Sequence, residues 1–276
     1  MAWHAQLQLQ YAWHSGQVAA VHRHEGPLRV LQSLYPEGPG ICHNVLVHPP
    51  GGLVGGDTLA IDIQAHADTH GLITTPGATR FYRSEGAEAV QQTRLHLQSG
   101  ARLEWLPLEA ICYTGCRARN HLVLQVEPGA ELLAWDVTAL GLPHAGQPFA
   151  DGCFSQHLEI PGVWLERGQV HAHDALLLNS PAGLAGHRCL ATLLFSTGTA
   201  MPRAQRERGL EAARALCDAQ AGALPWGVTS PDARLLLLRV LSAQVEPAMQ
   251  LLREVRNAWR REFWQLPPVQ PRIWAM

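Results

Sequence analysis

The sequence predicts a mainly β protein whose first 200 residues form either a β-helical stack or a two-sheet sandwich, followed by a part that contains helices. Three observations predict this class. Short runs alternate apolar with other residues, glycines divide these runs at a fixed spacing, and the pattern becomes helical near residue 200. We expect one domain over residues 1–276, with the β stack at 1–200 and the helix-containing part at 201–276.

The strand runs follow a repeat marked by Gly71, Gly100 and Gly129, which lie 29 residues apart. One run precedes each glycine and another follows it, and a looser fourth copy spans 158–165. A strand–turn–strand unit cannot bury its apolar face alone, so repeated units of this kind are expected to stack. The runs before the glycines are 59–63, 95–97 and 122–126, and those after them are 72–75, 103–106 and 132–135.

Two helices are predicted in the C-terminal part. Residues 203–220 are rich in Ala, Arg, Glu and Leu with no β-branched residue, which favours a helix that stops at Ala221-Gly222. Residues 247–264 carry apolar side chains at three- or four-residue steps after Pro247. Between them, 227–229 and 235–241 read as strands, although the leucine run is also compatible with a buried helix. The Pro-rich tail, 266–276, cannot be one regular element.

Composition excludes several classes of protein. The 276 residues include no lysine, which removes the side chain needed by a Walker-type phosphate loop, a Schiff-base enzyme or a kinase-type nucleotide site. A net charge of −2 argues against a nucleic-acid partner. Six cysteines in so long a chain fit a reducing compartment. The sequence contains no run of about 18 apolar residues, so it does not predict a membrane-spanning segment. We therefore expect a soluble cytoplasmic protein.

The densest local motif is the glycine loop HPPGGLVGGD at 48–57, which begins with His48 and ends with Asp57. It leads into a strand rather than a helix and ends in an acid, so it predicts a tight corner rather than a phosphate site. No serine flanked as G-x-S-x-G, no His-Glu-x-x-His and no Cys-x-x-Cys occurs. Cys112 and Cys116 are therefore interpreted as a free buried thiol pair.

Two histidine pairs are candidate metal ligands. His22 and His24, and likewise His171 and His173 beside Asp174, lie two residues apart, which on a strand places both imidazoles on one face. Such pairs can hold Ni²⁺ or Zn²⁺, and solvated strand faces produce the same spacing.

Acids inside apolar strands are the other candidates, because Glu and Asp are rarely buried unless paired. Glu104, Asp136 and Glu166 all lie in such runs. Glu104 and Glu166 each fall four residues after a glycine, so a stacked repeat predicts equivalent positions for them. The alternative is an outward-facing residue on an alternating strand. Nearby arginines that could pair with these acids are Arg80, Arg83, Arg117, Arg119 and Arg167.

The C-terminal region concentrates the residue types that dominate protein interfaces, Trp and Arg. We predict that the second helix and the tail contribute to a partner-binding surface; the alternative is that the tryptophans pack on the β stack. The candidates are Trp259, Arg260, Arg261, Trp264, Arg272 and Trp274.

Seven sequence blocks occur in a fixed order along the chain: Cys42-His43, HPPGGLVGGD at 48–57, LITTPGATRFYRSEGA at 72–87, LEWLPLEAI at 103–111, LLAWDVTALG at 132–141, Leu165-Glu166-Arg167 and PRIW at 271–274. In their order and spacing, these blocks resemble the UreD (UreH) family of urease accessory proteins over almost the whole chain. Departures are modest: the family commonly has Lys, Gln and Ala where Arg80, Leu108 and Cys116 stand here.

The resemblance implies a β-helix-like stack of short strands with two helices in the C-terminal region. It also implies a non-enzymatic scaffold that helps to load Ni²⁺ into apo-urease, binding urease and UreF and reaching the GTPase UreG through UreF. Ni²⁺ would pass transiently through an internal tunnel, with no permanently bound cofactor. Matched to the family blocks, Asp57, Asp136 and Glu166 are expected along this path. From the residues alone, the alternative is a small-molecule-binding β-rich enzyme of unknown reaction.

Overall fold

The computed structural model describes residues 2–220 and 224–275, and most of these residues lie in two β-sheets. The strands are β1 (His4–His14), β2 (Gln17–Glu25), β3 (Arg29–Val30), β4 (Ile41–Val47), β5 (Thr58–Ala65), β6 (His70–Thr74), β7 (Thr79–Phe81), β8 (Ala89–Leu97), β9 (Arg102–Leu106), β10 (Ala110–Cys112), β11 (Cys116–Val126), β12 (Glu131–Leu142), β13 (Gln147–Pro148), β14 (Gly152–Ile160), β15 (Trp164–His171), β16 (Cys189–Thr197), β17 (Trp226–Asp232) and β18 (Leu235–Ser242). The helices are α1 (Ala175–Asn179), α2 (Arg203–Ala219) and α3 (Val245–Trp264), with single 3₁₀ turns at Pro143–Ala145 and Arg272–Ala275.

The strands wind into a β-solenoid. Sheet 1 has the order β15-β14-β11-β8-β5-β1-β2, and sheet 2 follows β17-β18-β16-β12-β9-β6-β4-β3. Between β4 and β14 the chain passes back and forth between the sheets, so β1, β5, β8, β11 and β14 pair in parallel in sheet 1, and β4, β6, β9 and β12 do so in sheet 2. The short strands β7 and β10 run parallel beside the second half of β12. The β-helix-like class is therefore confirmed.

The glycine spacing identified two of the three stacked turns correctly. Gly100 and Gly129 occupy equivalent positions with positive φ, and the amide of Gly100 donates to the carbonyl of Gly129 at 3.2 Å. The equivalent residue in the preceding coil is Asp68, with φ of 61°, not Gly71. Gly71 lies inside β6 opposite Leu103, where the ring of Tyr11 fills the space that a Cβ would need.

The predicted fourth copy is a different structure, because β15 turns back on β14 as an antiparallel hairpin that closes sheet 1. Glu166 therefore pairs with Leu158 at this edge, whereas the register neighbours of Glu104 are Leu72 and Leu133. The expected equivalence of Glu104 and Glu166 is wrong because the chain reverses before Glu166.

The C-terminal part extends sheet 2 and covers its outer face. Strands β16, β18 and β17 continue the sheet antiparallel, and α2 and α3 pack against it. Both helices were predicted within two residues of their observed bounds; the expected stop at 221–222 lies outside the described residues. Sheet 2 thus separates two hydrophobic clusters, one between the sheets and one beneath the helices.

The leucine run of β18 is a strand because both of its faces are buried. Leu235 and Leu237 belong to the cluster between the sheets, while Leu236 and Leu238 belong to the cluster under α2 and α3. A strand covered on both sides has a continuous apolar sequence and loses the alternation that otherwise distinguishes strand from helix.

Candidate functional site

Asp136 and Glu166 line one cavity at the end of the solenoid where β18 approaches the β14–β15 hairpin. Its volume is about 350 Å³, and Thr192, Trp226 and Arg239 also line it. Asp136 points from sheet 2 toward sheet 1, where Asn120 Nδ2 donates to its Oδ2 at 2.7 Å. Gln156 Nε2 donates to Oδ1 at 2.5 Å. Both sheets therefore position this carboxylate.

The charges in this cavity are unbalanced around Asp136. Burial raises the pKa of Asp136 to about 6, and the nearby carboxylate of Glu166 adds to that rise, while hydrogen bonds from Asn120 and Gln156 oppose it. Glu166 forms an ion pair with Arg239, whose side chain is half exposed. Asp136 has no cation of its own among the described residues, so the cavity presents one acid with a raised pKa and one paired acid.

Asp57 lies elsewhere and caps a turn. Its Oδ1 accepts from the amide of Trp3 at 3.2 Å, and its Oδ2 accepts from the amide of Val54 at 3.0 Å. It is buried at the corner that the glycine loop makes before β5, as the tight-corner interpretation expected. Asp57 is not among the residues that line the cavity of Asp136 and Glu166. The structure thus brings Asp136 and Glu166 together and places Asp57 apart from them, with both of its oxygens bonded to the backbone.

His48, at the other end of the glycine loop, stacks on Trp3 with ring centroids 5.0 Å apart. Burial lowers the pKa of His48, and the charge of Asp57 opposes this. The two ends of the loop thus form a small packed corner that anchors the N-terminal strand.

A fully buried charge cluster joins α3 to the solenoid. Glu104 Oε2 accepts from Arg256 Nε at 2.7 Å, and Glu104 Oε1 lies 3.4 Å from Arg260 Nε and 3.6 Å from His70 Nε2. Burial alone would raise the pKa of Glu104. The charges of Arg256 and Arg260, together with the interaction with His70, lower this pKa to about 2. Arg260 also pairs with Glu37 at 2.5 Å. The sequence singled out Glu104 but not its partners.

The predicted partner-binding residues divide into buried and accessible ones. Trp259, Arg260 and Trp264 lie beneath α3 against sheet 2, with Trp259 Nε1 donating to the carbonyl of Gly209 at 2.9 Å. As surface contacts these three predictions are wrong, because the helix presents that face to the sheet. Trp274 is half-buried and stacks on Trp135, whereas Arg272 is exposed.

The six cysteines are all free, and Cys112 and Cys116 are both buried, as expected for a thiol pair. Burial raises the pKa of Cys112, and a hydrogen bond from Cys112 lowers that of Cys116. Within residues 2–220 and 224–275, no three His, Cys, Asp or Glu side chains are already arranged around a common metal position. Across the same ranges, no helix is long and apolar enough to span a membrane.

The fold and the cavity define a class of protein: a β-solenoid capped by a helical pair, with two acids facing one partly open cavity. The sequence model described as UreD urease accessory protein matches residues 4–275. The chain therefore belongs to the UreD family of urease accessory proteins. It is 63% identical to the urease accessory protein UreD of Variovorax paradoxus and 61% identical to that of Paracidovorax citrulli, in both cases over the full length of both chains. The corresponding protein of Leptothrix cholodnii is 53% identical over 99% of each chain.

Proposed function

We propose that this urease accessory protein is a non-enzymatic scaffold that assists the delivery of Ni²⁺ into apo-urease. In this proposal urease and UreF are its direct partners, UreG joins through UreF, and neither nucleic acid nor a membrane takes part. Ni²⁺ is the cargo, held transiently, and no cofactor is bound permanently. The six free cysteines support action in the reducing cytoplasm.

The observation that carries the proposal is the pair of acids in one cavity. A path for a divalent ion needs oxygen or nitrogen ligands that hold it weakly enough for release, and separated carboxylates meet this need better than a closed thiolate cage. Asp136 and Glu166 face the same space of about 350 Å³. They would offset part of the desolvation cost of an ion that enters the protein interior.

Arg239 competes with the ion for the carboxylate of Glu166. Because it pairs with Glu166, an entering cation competes with a guanidinium for the same carboxylate. The half-exposed side chain of Arg239 can move toward solvent when the ion arrives. Asp57, whose two oxygens accept hydrogen bonds from backbone amides, is the weakest of the three proposed path residues.

The test is urease activation in cells that express urease with the accessory proteins. Asp136→Ala and Glu166→Ala should reduce the nickel content and activity of urease, and Asp136→Asn and Glu166→Gln, which keep an oxygen, should reduce them less. Co-purification with urease and UreF should be unchanged, which separates transfer from assembly. Glu159→Ala is the matched control, since this acid lies on the opposite face of β14 beside His157. Full activation by both alanine variants would remove these acids from the path.

A further inference from the structure

Two side chains of types that ligate metals, Cys153 and His171, lie close together at the open end of the β14–β15 hairpin, opposite its turn. Cys153 and His171 are register partners in this antiparallel pair, and Cys153 Sγ lies 3.7 Å from His171 Nε2. An ion bound tetrahedrally, with bonds of about 2.3 Å to sulfur and about 2.0–2.1 Å to nitrogen, holds the two ligand atoms about 3.6 Å apart. The observed spacing matches this separation.

The next positions along both strands carry two more ligand types. Asp151 precedes Cys153 by two residues and His173 follows His171 by two, and His173 Nε2 lies 3.5 Å from Asp151 Oδ1. Both side chains are largely exposed, at 79% for His173 and 68% for Asp151, so His173 is free to rotate toward an ion held by the first pair, whereas Asp151 first has to release the hydrogen bond that its Oδ1 accepts from the amide of Gly152 at 2.8 Å. One thiol, two imidazoles and one carboxylate therefore lie at neighbouring positions as two separate pairs, and side-chain rotation has to bring the second pair to an ion held by the first.

The backbone holds this corner in place. Gly152 has a φ of +109°, and a Cβ there would lie 2.5 Å from the carbonyl oxygen of Cys116, so only glycine permits this approach of β14 to β11. The amide of Asp151 donates to Thr114 Oγ1 at 3.1 Å, and the amide of Asp174 donates to the carbonyl of His171 at 3.0 Å. The strands are thus fixed while the ligand side chains remain accessible.

The corner is separate from the cavity of Asp136 and Glu166. Glu166 pairs with the buried Leu158 on the inner face of the hairpin, whereas Cys153 and His171 are each five residues from that pair. Because side chains alternate along a strand, they project from the opposite face. An ion at this corner would therefore be held outside the proposed transfer path.

We propose that Cys153, His171 and His173, with Asp151, form a binding site for one borderline divalent cation such as Zn²⁺, Co²⁺ or Ni²⁺. This donor set suits such ions, since thiolate and imidazole select against Mg²⁺ and Ca²⁺. On binding, the ion gives up water ligands and the Cys153 thiol releases its proton to solvent as the metal–sulfur bond forms. The other histidine pair lacks this construction, because His22 and His24 face Leu9 and Leu7 across the strand pair.

The test is a titration of the purified full chain with Co²⁺ under reducing conditions. We expect one equivalent to bind with a thiolate-to-cobalt charge-transfer absorption that Zn²⁺ abolishes. Cys153→Ser should eliminate this absorption, and His171→Ala or His173→Ala should weaken binding by about tenfold or more. The exposed position of His173 makes its variant informative even if Cys153→Ser does not fold.

Two control variants separate this site from other ligands. Cys116→Ala removes a neighbouring thiol, and the double variant His22→Ala/His24→Ala removes the other histidine pair; both should bind Co²⁺ as the unmodified chain does. No charge-transfer absorption in the unmodified chain would overturn the site, as would an absorption that survives Cys153→Ser or disappears in Cys116→Ala. None of these readouts depends on urease activation.

Discussion

Glu104 and Arg256 form an ion pair in which neither side chain has any solvent exposure. The carboxylate accepts a hydrogen bond from Arg256 Nε at 2.7 Å and lies 2.6 Å from the terminal Nη2, across 152 positions of sequence. It joins β9 in the middle of the solenoid to α3. The attachment of the helical cap therefore depends on charges buried beneath it as well as on apolar packing.

Removing Glu104 should destabilise the protein strongly. Glu104→Ala leaves Arg256 and Arg260 buried without their shared carboxylate, and breaking a buried pair in this way costs about 3–5 kcal/mol. Glu104→Gln keeps one acceptor oxygen and should cost less. Urea unfolding of the purified variants measures the difference. The control is Glu131→Ala, which breaks a partly exposed pair with Arg102 and should cost about 1 kcal/mol or less. Equal losses for Glu104→Ala and Glu131→Ala would contradict this account.

The same pair predicts a loss of stability in acid. The pKa of Glu104 is about 2 in the folded protein against an ordinary value of 4.5, so the folded state favours the ionised carboxylate. Its contribution is fully present above pH 4.5 and disappears as the pH falls from 4.5 toward 2. The free energy of unfolding, measured against pH, should therefore fall less steeply in this range for Glu104→Gln than for the unmodified chain. Parallel curves would show that Glu104 is not the group responsible.

Local patterns were sufficient to predict the two long helices and part of the strands, whereas β1, β2, β4 and β16 were not predicted. Alternation placed β5, β11 and the start of β12, and three- and four-residue steps placed α3. The turn glycines Gly100 and Gly129 could be recognised because their backbone has positive φ, which glycine adopts at little cost. These features depend on residues that are close in sequence.

The partners of the buried charges depend on tertiary contacts and could not be read in this way. Arg256 and Arg260 lie one helical turn apart on the same side of α3 as the buried Trp259 and Phe263. Their position on this apolar stripe was the available signal, but arginine is rarely buried unless paired, so both residue type and composition favoured an exposed interpretation. The direction of β15 could not be predicted for the same reason. An antiparallel hairpin strand and a strand of a further solenoid coil have the same alternation of apolar and polar residues.

The tail retains one accessible candidate for partner binding, Arg272. We predict that Arg272→Glu weakens co-purification with UreF and leaves the urea midpoint unchanged, because this side chain is exposed. Trp259→Ala should instead act mainly on stability. It should lower the free energy of unfolding by about 3–5 kcal/mol, because it leaves a cavity under α3.

Point substitution is more informative here than truncation after Pro267. The carbonyl of Val269 accepts from Arg256 Nη1 at 2.8 Å and from Arg260 Nη1 at 3.2 Å, so removal of the tail would also disturb the buried charges. Normal recovery of UreF with Arg272→Glu would exclude this residue from the interface.

Asp136 should titrate near pH 6, and the charge of Glu166 should contribute to this raised pKa. Burial raises the pKa of Asp136 from 3.8 to about 6, and the carboxylate of Glu166 contributes to the rise. Because the folded-state value is the higher one, the favourable contribution of Asp136 to stability is complete below pH 3.8 and is lost as the pH rises through 6. Glu166→Gln removes the repelling charge and should lower the pKa of Asp136, which carboxyl ¹³C NMR measures directly, with Asp136→Asn assigning the signal. With a pKa of about 6, Asp136 should be mostly ionised at pH 7 and mostly protonated at pH 5, so its ability to ligate a cation should decline as the pH falls over that interval. A carboxyl signal that titrates near 4 in the unmodified chain would show that burial does not raise the pKa of Asp136.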